Sequence, residues 1–545
     1  MKLKTKGILA FAFLGGILLT STILFALPPP PATMTPEELA MEEQGFTITK
    51  TPMDNFPDDQ RDTFCGIGDP KSTSYVTEFE IPTVCTQPLA IKVAPDGNVW
   101  FVESNVGQIA KFDPISEQFT EFENAIWPEG SRTMSWGMDY SSDGAMWYTD
   151  GSFDTIWRFD TINEEYTPIQ YPASFVLGSE NSVKEGSLPQ KLAISGSNII
   201  VNDFTGHKIT FFDLSQNTDE ITYSSVVAPI PNSFTGDFAV DSENNLWYTN
   251  WVPELTGLLL KFNIEKYKQD SYLASTGMDI SLENYFEIYD FPQDLNTANG
   301  LSIDENDNVW ILDTSSSFFF KFDPNDETFT KFVTSVPQKS TFGNATGIIK
   351  SPISRPYWSQ TDMNGNLFFN EQTSNQLAVF DIVNEQLVEY MVPSKNPNWA
   401  DCEDKSNSNC GVAQIFGFDV TDDSIWFTEW AENKIGVIDT KKPLPFSVKT
   451  DTNSITLKKG ETKTVFLSVT YLSNVTDINF NSAHTASTAT KSSDLTVSHT
   501  LNDPTEIIVS VSASEIALSG DYKLLLGVFN SEVNVSKYIN VTIEP

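Results

Sequence analysis

The sequence predicts an all-β protein: a seven-bladed β-propeller closed by an N-terminal strand, followed by an immunoglobulin-like β-sandwich. Three observations carry that expectation. A phrase recurs seven times, as GNVWFVESNVGQIAKFD (97–113), GAMWYTDGSFDTIWRFD (144–160), SNIIVNDFTGHKITFFD (197–213), NNLWYTNWVPELTGLLLKFN (244–263), DNVWILDTSSSFFFKFD (307–323), GNLFFNEQTSNQLAVFD (365–381) and DSIWFTEWAENKIGVID (423–439). Periods of this length belong to arrays of small sheets rather than to one ordinary domain. Each copy also resolves into alternating apolar runs with tight turns between them. Finally, the last copy lacks a fourth strand, and a matching segment, YVTEFEIP (75–82), stands ahead of the first. Closure with strands from both chain ends leaves no ring edge open.

The first repeat illustrates the reading. LAIKVA (89–94) runs to a turn at Pro95–Gly97, followed by VWFVES (99–104), QIAKFD (108–113) and FTEFE (119–123), a four-stranded antiparallel pattern. Such a sheet buries both faces only by stacking on neighbours, and a radial array satisfies all of them. The anchors are Trp100, Trp147, Trp247, Trp310, Phe368 and Trp426, with Ile200 in the third copy. From anchor to closing Asp the count is 13, except in the fourth copy, where an insertion makes it 16 and the residue is Asn263. No long stretch after residue 45 shows helical periodicity.

The domain boundaries expected are 1–27 for a signal anchor or signal peptide, 28–74 for a tether, 75–442 for the propeller and 446–545 for the sandwich. Residues 1–6 (MKLKTK) are basic and 7–27 are uncharged and apolar, long enough to span a bilayer as a helix. Lysines before the run and Glu37, Glu38, Glu42 and Glu43 after it orient the bulk outward. The run is long for a signal peptide and no A-x-A site follows, so a retained membrane anchor is the favoured reading. Cys65, Cys85, Cys402 and Cys410 suit two disulfides in an oxidising compartment, the local pairing being one of three. Four N-x-S/T sequons, at Asn344, Asn474, Asn534 and Asn540, fit a surface protein. A net charge of −40 excludes nucleic acid, whose phosphates the protein would repel. Residues 446–545 carry short alternating runs and read as a spacer or adhesion module.

In a propeller, the ends of the second strands meet at one mouth of the central channel. The residue three past each anchor lies there: Glu103, Asp150, Asp203, Asn250, Asp313, Glu371 and Glu429. Six carboxylates converging at the mouth would suit Mg²⁺ or Ca²⁺, whereas a residue repeated in every blade also serves the blade's own hydrogen bonding. Other candidates at the mouth are Trp136, Tyr357 and Trp358, with Gln190, Asp237 and Asn299, a set that fits sugar-like, peptide or cationic ligands. Long loops at 173–188, 337–355 and 393–414 would wall the site. His207, the only histidine of the propeller, matches turn positions held by Gly107 and Asn433 and reads as a turn residue. His484 and His499 fall in the sandwich and are expected to face solvent.

The segments PLAIKVAPDGNVWFVE (88–103) and GFDVTDDSIWFTEWAENKIGVID (417–439) resemble the signature of virginiamycin B lyase-like propellers, or streptogramin lyases, over about 85–440. Propellers with NHL repeats and gluconolactonase-like hydrolases share parts of it. The resemblance implies a propeller with a His base fourteen residues before the Glu of WFTE, a second His from a neighbouring blade, and Mg²⁺ on a His and such a Glu. The corresponding positions here hold Leu89, Trp136, Gln190, Gly236, Asn299, Tyr357 and Phe416. None replaces imidazole as a base near neutral pH. The expectation is therefore an extracytoplasmic binding module, engaging a protein or a small polar ligand. A metal-dependent lyase or hydrolase is the second reading, and a structural envelope or adhesion protein the third.

Overall fold

The computed structural model describes residues 51–545 apart from 129, 173, 176–183, 186, 215–220, 275–281, 345–352, 406–408, 474–476, 487–493 and 504. The apolar run at 7–27, residues 28–50 and Asn474 lie outside the described residues. Among the described residues no helix is long and apolar enough to cross a membrane.

Alternation and tight turns produce what they predict locally. Each repeat folds as an antiparallel four-stranded sheet, and together the repeats form a β-propeller. The innermost strands are Pro88–Val93, Met138–Tyr140, Pro189–Ser195, Phe234–Val240, Ala298–Ile303, Pro356–Thr361 and Ile415–Val420. They touch one another in cyclic order, the last against the first, and enclose a central channel. The final sheet takes its outer strand from the chain's beginning: Val76–Glu80 pairs antiparallel with Lys434–Asp439. Asn433 reinforces that seam by accepting from the Thr86 N–H at 2.7 Å and donating to the Thr83 carbonyl at 3.0 Å.

The anchors explain why the phrase recurs. Trp310 packs 5.6 Å from Phe380 of the next sheet, and Trp247 lies 5.9 Å from Phe322 of the next. Trp426 lies 5.8 Å from Phe112, across the closure. These three anchors thus wedge against the Phe that precedes a neighbour's closing Asp. Tryptophans of this size dominate core energetics, and removing one costs about 3–5 kcal/mol.

A second repeated device ties the channel wall. In five of the seven sheets the residue before the strand-ending Asp, Asn or Glu reaches across to the next inner strand. The Thr149 hydroxyl donates to the Gln190 carbonyl at 2.9 Å, Thr249 to Ala298 at 2.7 Å, and Thr428 to Leu89 at 2.8 Å. Asn202 and Asn370 do the same through their amides, to the Thr235 and Ile415 carbonyls. The approach is so close that a Cβ on Gly300 would sit 2.1 Å from the Tyr357 carbonyl, and one on Gly417 1.9 Å from that of Leu89.

Three expectations change. Residues 52–65 are no tether, because Asp58–Phe64 forms helix α1 and packs on the propeller. The insertion in the fourth copy lengthens a hairpin, pairing Asn245–Val252 with Thr256–Asn263. It is followed by an unanticipated helix α2 (Ile264–Ala274), begun where the Asn263 side chain accepts from the Lys266 N–H. Among the described side chains of α2, Ile264 and Tyr267 turn inward, too sparse a pattern to read as helical periodicity.

The C-terminal region, read from the sequence as a spacer or adhesion module, is two facing sheets joined directly to the propeller. Its last strand, Val533–Glu544, pairs with Gln386–Met391, the outer strand of the sixth propeller sheet, so one sheet of eight strands runs through both parts. Tyr538 inserts between Phe332 and Phe380 and donates to the Val333 carbonyl at 2.5 Å. Asn534 is 2% exposed and donates to Glu389 at 2.7 Å, so this sequon is structural. Asn540 is exposed and Asn344 half-buried. His499 is exposed and stacks on Phe480 at 4.2 Å, whereas His484 is half-buried against the expectation, and that burial lowers its pKa.

Two outcomes follow from these contacts. Thr428→Val leaves the Leu89 carbonyl unsatisfied and is expected to cost about 1–3 kcal/mol, read as a lower denaturant midpoint at unchanged slope. Propeller and C-terminal region are expected to melt in one calorimetric transition, and two separated transitions would contradict the shared sheet.

Candidate functional site in the central channel

The strand-ending acids do not form the expected ligand ring. All six carboxylates are buried at 0% exposure, and the three aspartates are spent close to home. Asp150 accepts from the Ser152 and Phe153 N–H groups and from the Trp157 indole. Asp203 accepts from the N–H groups of Leu188 at 2.8 Å and Gly206 at 2.9 Å. Asp313 accepts from Thr297 N–H at 2.9 Å and Ser315 N–H at 3.1 Å. Asn250 plays the same part with the Ile230 N–H and the Phe234 carbonyl. These side chains stitch the loop entering a sheet to the loop leaving its second strand. Among the described residues no three His, Cys, Asp or Glu side chains are grouped so as to hold a metal ion.

The three glutamates behave differently. Each meets a second carboxyl on the outer strand of its own sheet, across the third strand: Glu103 beside Glu121, Glu371 beside Glu389, Glu429 beside Glu78. Burial, then the neighbouring carboxyl, pushes Glu103, Glu371 and Glu429 well above their ordinary 4.5. Two buried carboxyls in hydrogen-bonding contact share a proton rather than both ionising. Glu389 is held by the Ser335 N–H at 3.0 Å and by Asn534, which makes Glu371 the natural holder of that proton.

His207 sits at positive φ, 40°, as do Asn433 at 55° and Gly107 at 62°, and its ring meets the Ser233 carbonyl at 3.2 Å. It is a turn residue.

The aromatic candidates do converge. Trp136 lies 5.9 Å from Tyr357, 6.4 Å from Trp358 and 5.2 Å from Phe416. Gln190 joins them by donating to the Tyr357 hydroxyl at 3.3 Å. Asn299 donates instead to the Thr314 hydroxyl at 2.7 Å, and Asp237 lies a layer deeper, ion-paired with Lys191 at 2.9 Å.

This cluster plugs the channel and is roofed from above. Phe416 meets Trp430 at 5.7 Å, Trp430 meets Trp399 at 5.5 Å, and both meet Phe64 of α1. The Trp399 indole donates to the Thr63 carbonyl at 2.7 Å, and the Asn396 amide to that of Asp62 at 2.8 Å. The disulfide Cys65–Cys85 pins the end of α1 to the approach of the first inner strand, and Cys402–Cys410 closes a loop in the neighbouring wall. The local pairing is therefore the one adopted, consistent with an oxidising compartment.

Below the plug lies a cavity of about 240 Å³, lined by Trp136 and Trp358 together with polar side chains. Lys92 reaches Asp139 at 3.3 Å and Asp419 at 3.5 Å, and Gln360 donates to Asp419 at 3.3 Å. Lys191 lies over the Trp358 ring at 5.4 Å. Lys92, Asp139, Gln360 and Asp419 escaped the sequence reading. Each stands three residues past a position that the lyase resemblance singles out, and that spacing was the available signal.

No protein-family model matches the chain, and no curated protein matches it. Among solved structures it is similar to virginiamycin B lyase from Staphylococcus aureus, at 17% identity over 68% of this chain and 99% of that one, with a TM-score of 0.47. A streptogramin B lyase gives 18% identity over 67% and 97%, also at 0.47. Regucalcin from Agrobacterium tumefaciens, titled a calcium-binding protein, gives 12% over 56% and 89%, at 0.34.

The carboxyl pairs give a signed pH dependence. The unfolded chain releases the Glu371 proton near 4.5, the folded chain only at higher pH. The stability contributed by the neutral carboxyl is thus whole below about 4.5 and declines as pH rises. Glu371→Gln keeps the shape without the proton, so its stability is expected to fall less than the parent's from about pH 5 to 8. Parallel curves for the two proteins would contradict the shared proton.

Proposed function

We propose that this chain is an extracytoplasmic binding module: a seven-bladed propeller, braced by an immunoglobulin-like sandwich, that presents a rigid acidic surface to a ligand or partner. Residues 1–27 would hold it to a membrane. The observation that carries this reading is the sealed mouth. Where the lyase resemblance calls for a reaction chamber with imidazole bases, Trp136, Tyr357 and Phe416 fill the channel, and α1 with Trp399 covers them. A chamber filled by edge-to-face aromatics and braced by a disulfide admits no large substrate without unpacking a core cluster. Rigidity also favours binding, since the seam between propeller and sandwich is a continuous sheet and little ordering entropy is lost on association.

A metal-dependent lyase or hydrolase makes an opposite demand. It needs Mg²⁺ or Ca²⁺ on several of the strand-ending carboxylates, which are instead engaged separately by backbone groups or by a second carboxyl. Elemental analysis of the purified chain, with melting curves in Mg²⁺ and in EDTA, decides between the two. The binding reading expects no stoichiometric ion and superimposed melting curves. One ion per chain with a melting temperature that falls on chelation would overturn it.

A further inference from the structure

The cavity below the aromatic plug has the makings of a second, independent site. It is built from five of the inner strands, so its walls are the most constrained backbone of the propeller. Asp139 and Lys92 keep side-chain exposures of 20% and 31%, so water reaches them. Both stand near the strand ends that lead into the tight turns, away from the roofed mouth. At about 240 Å³ it is smaller than the roughly 300–1,000 Å³ typical of drug-sized ligands, which limits the occupant to something near one sugar ring.

The chemistry of the lining narrows the class. Two lysines and two aspartates line it, so it carries no net charge. Lys92 is paired with both aspartates, and Lys191 is paired behind the wall with Asp237. No charge is left over to attract an ion, yet every one of these groups retains hydrogen-bonding capacity beyond its partner. Lysine ammoniums donate, carboxylates accept, and the Gln360 amide does both. The Trp136 and Trp358 rings line the same cavity, apolar surfaces suited to the C–H face of a pyranose.

We infer that the turn-side end of the channel binds one neutral, polyhydroxylated ring: a monosaccharide or the terminal sugar of a glycan. Hydroxyls bridge Lys92, Asp139 and Gln360 while the ring rests on the tryptophans. The inference deepens the binding reading, but its test is separate from the metal test, because a sugar could bind here whether or not the opposite mouth does chemistry.

The experiment is ligand-observed NMR, with intrinsic tryptophan fluorescence as a second readout, on the purified full chain. The probes are the methyl glycosides of glucose, galactose, mannose and N-acetylglucosamine, against acetate, choline and glycine as an anion, a cation and a zwitterion. At least one glycoside is expected to bind saturably, and the three small ions are not. Gln360→Ala is expected to weaken that binding about three- to tenfold, and Asp139→Asn by at least as much, with melting temperature showing whether each variant folds. Glu371→Gln, outside the cavity, leaves the affinity unchanged. Silence from every glycoside overturns the inference. So does saturable binding of choline, acetate or glycine in their place, or glycoside binding that Gln360→Ala and Asp139→Asn both leave intact.

Discussion

The close approach of the inner strands governs the rest of the molecule. Where they pass, side chains must be absent or must bond across the gap. Gly300 and Gly417 satisfy the first condition, since a Cβ there would overlap a carbonyl of the adjoining strand. Thr149, Thr249 and Thr428, with Asn202 and Asn370, satisfy the second. These residues also return to their own sheet: the Thr149 hydroxyl accepts from the Gly137 N–H at 3.0 Å and the Asn370 carbonyl from the Trp358 N–H at 2.7 Å. The acceptance occurs beside the irregularity that shifts register in these inner strands, as between Pro356 and Ser359. A single polar side chain thus closes a bulge and hooks a neighbour, leaving few orphaned backbone groups in the wall.

That constraint also decides what the channel can be. A ring drawn this tight has room for a small cavity, not for a wide chamber. Putting Trp136, Tyr357, Trp358 and Phe416 into one end fills it, and the roof of Phe64, Trp399 and Trp430 continues the same aromatic packing to the surface. The ionic layer at Lys92 is what remains of the channel's polar character. Burial of charges is tolerated there because each is paired and hydrogen-bonded.

Edges impose the second rule. A propeller's outer strands are short and protected, but an unpaired edge still invites association. In the sixth sheet the edge is occupied by Val533–Glu544, and the C-terminal region thereby becomes part of the propeller's own hydrogen-bond ladder. The polar seam is sealed by Asn534 and Tyr538, which is why a sequon there reports packing rather than a glycan.

How much of this was legible in the sequence follows from the range of the interactions. Repeat period, strand alternation and the closing segment at 75–82 are local patterns, and the four-stranded sheets and the mixed last sheet answer to them. Disulfide pairing between near neighbours and the turn role of His207 were equally local. Tertiary structure alone decided where the strand-ending carboxylates point, because a carboxylate aimed at a channel and one aimed at its own loop read identically as letters. It also decided that 52–65 roofs the mouth, that Asn534 is buried, and that Lys92 meets Asp139 and Asp419 from different sheets. Each of those depends on a partner tens or hundreds of residues away, and a chain read in order carries no signal for contacts that only the closed ring creates.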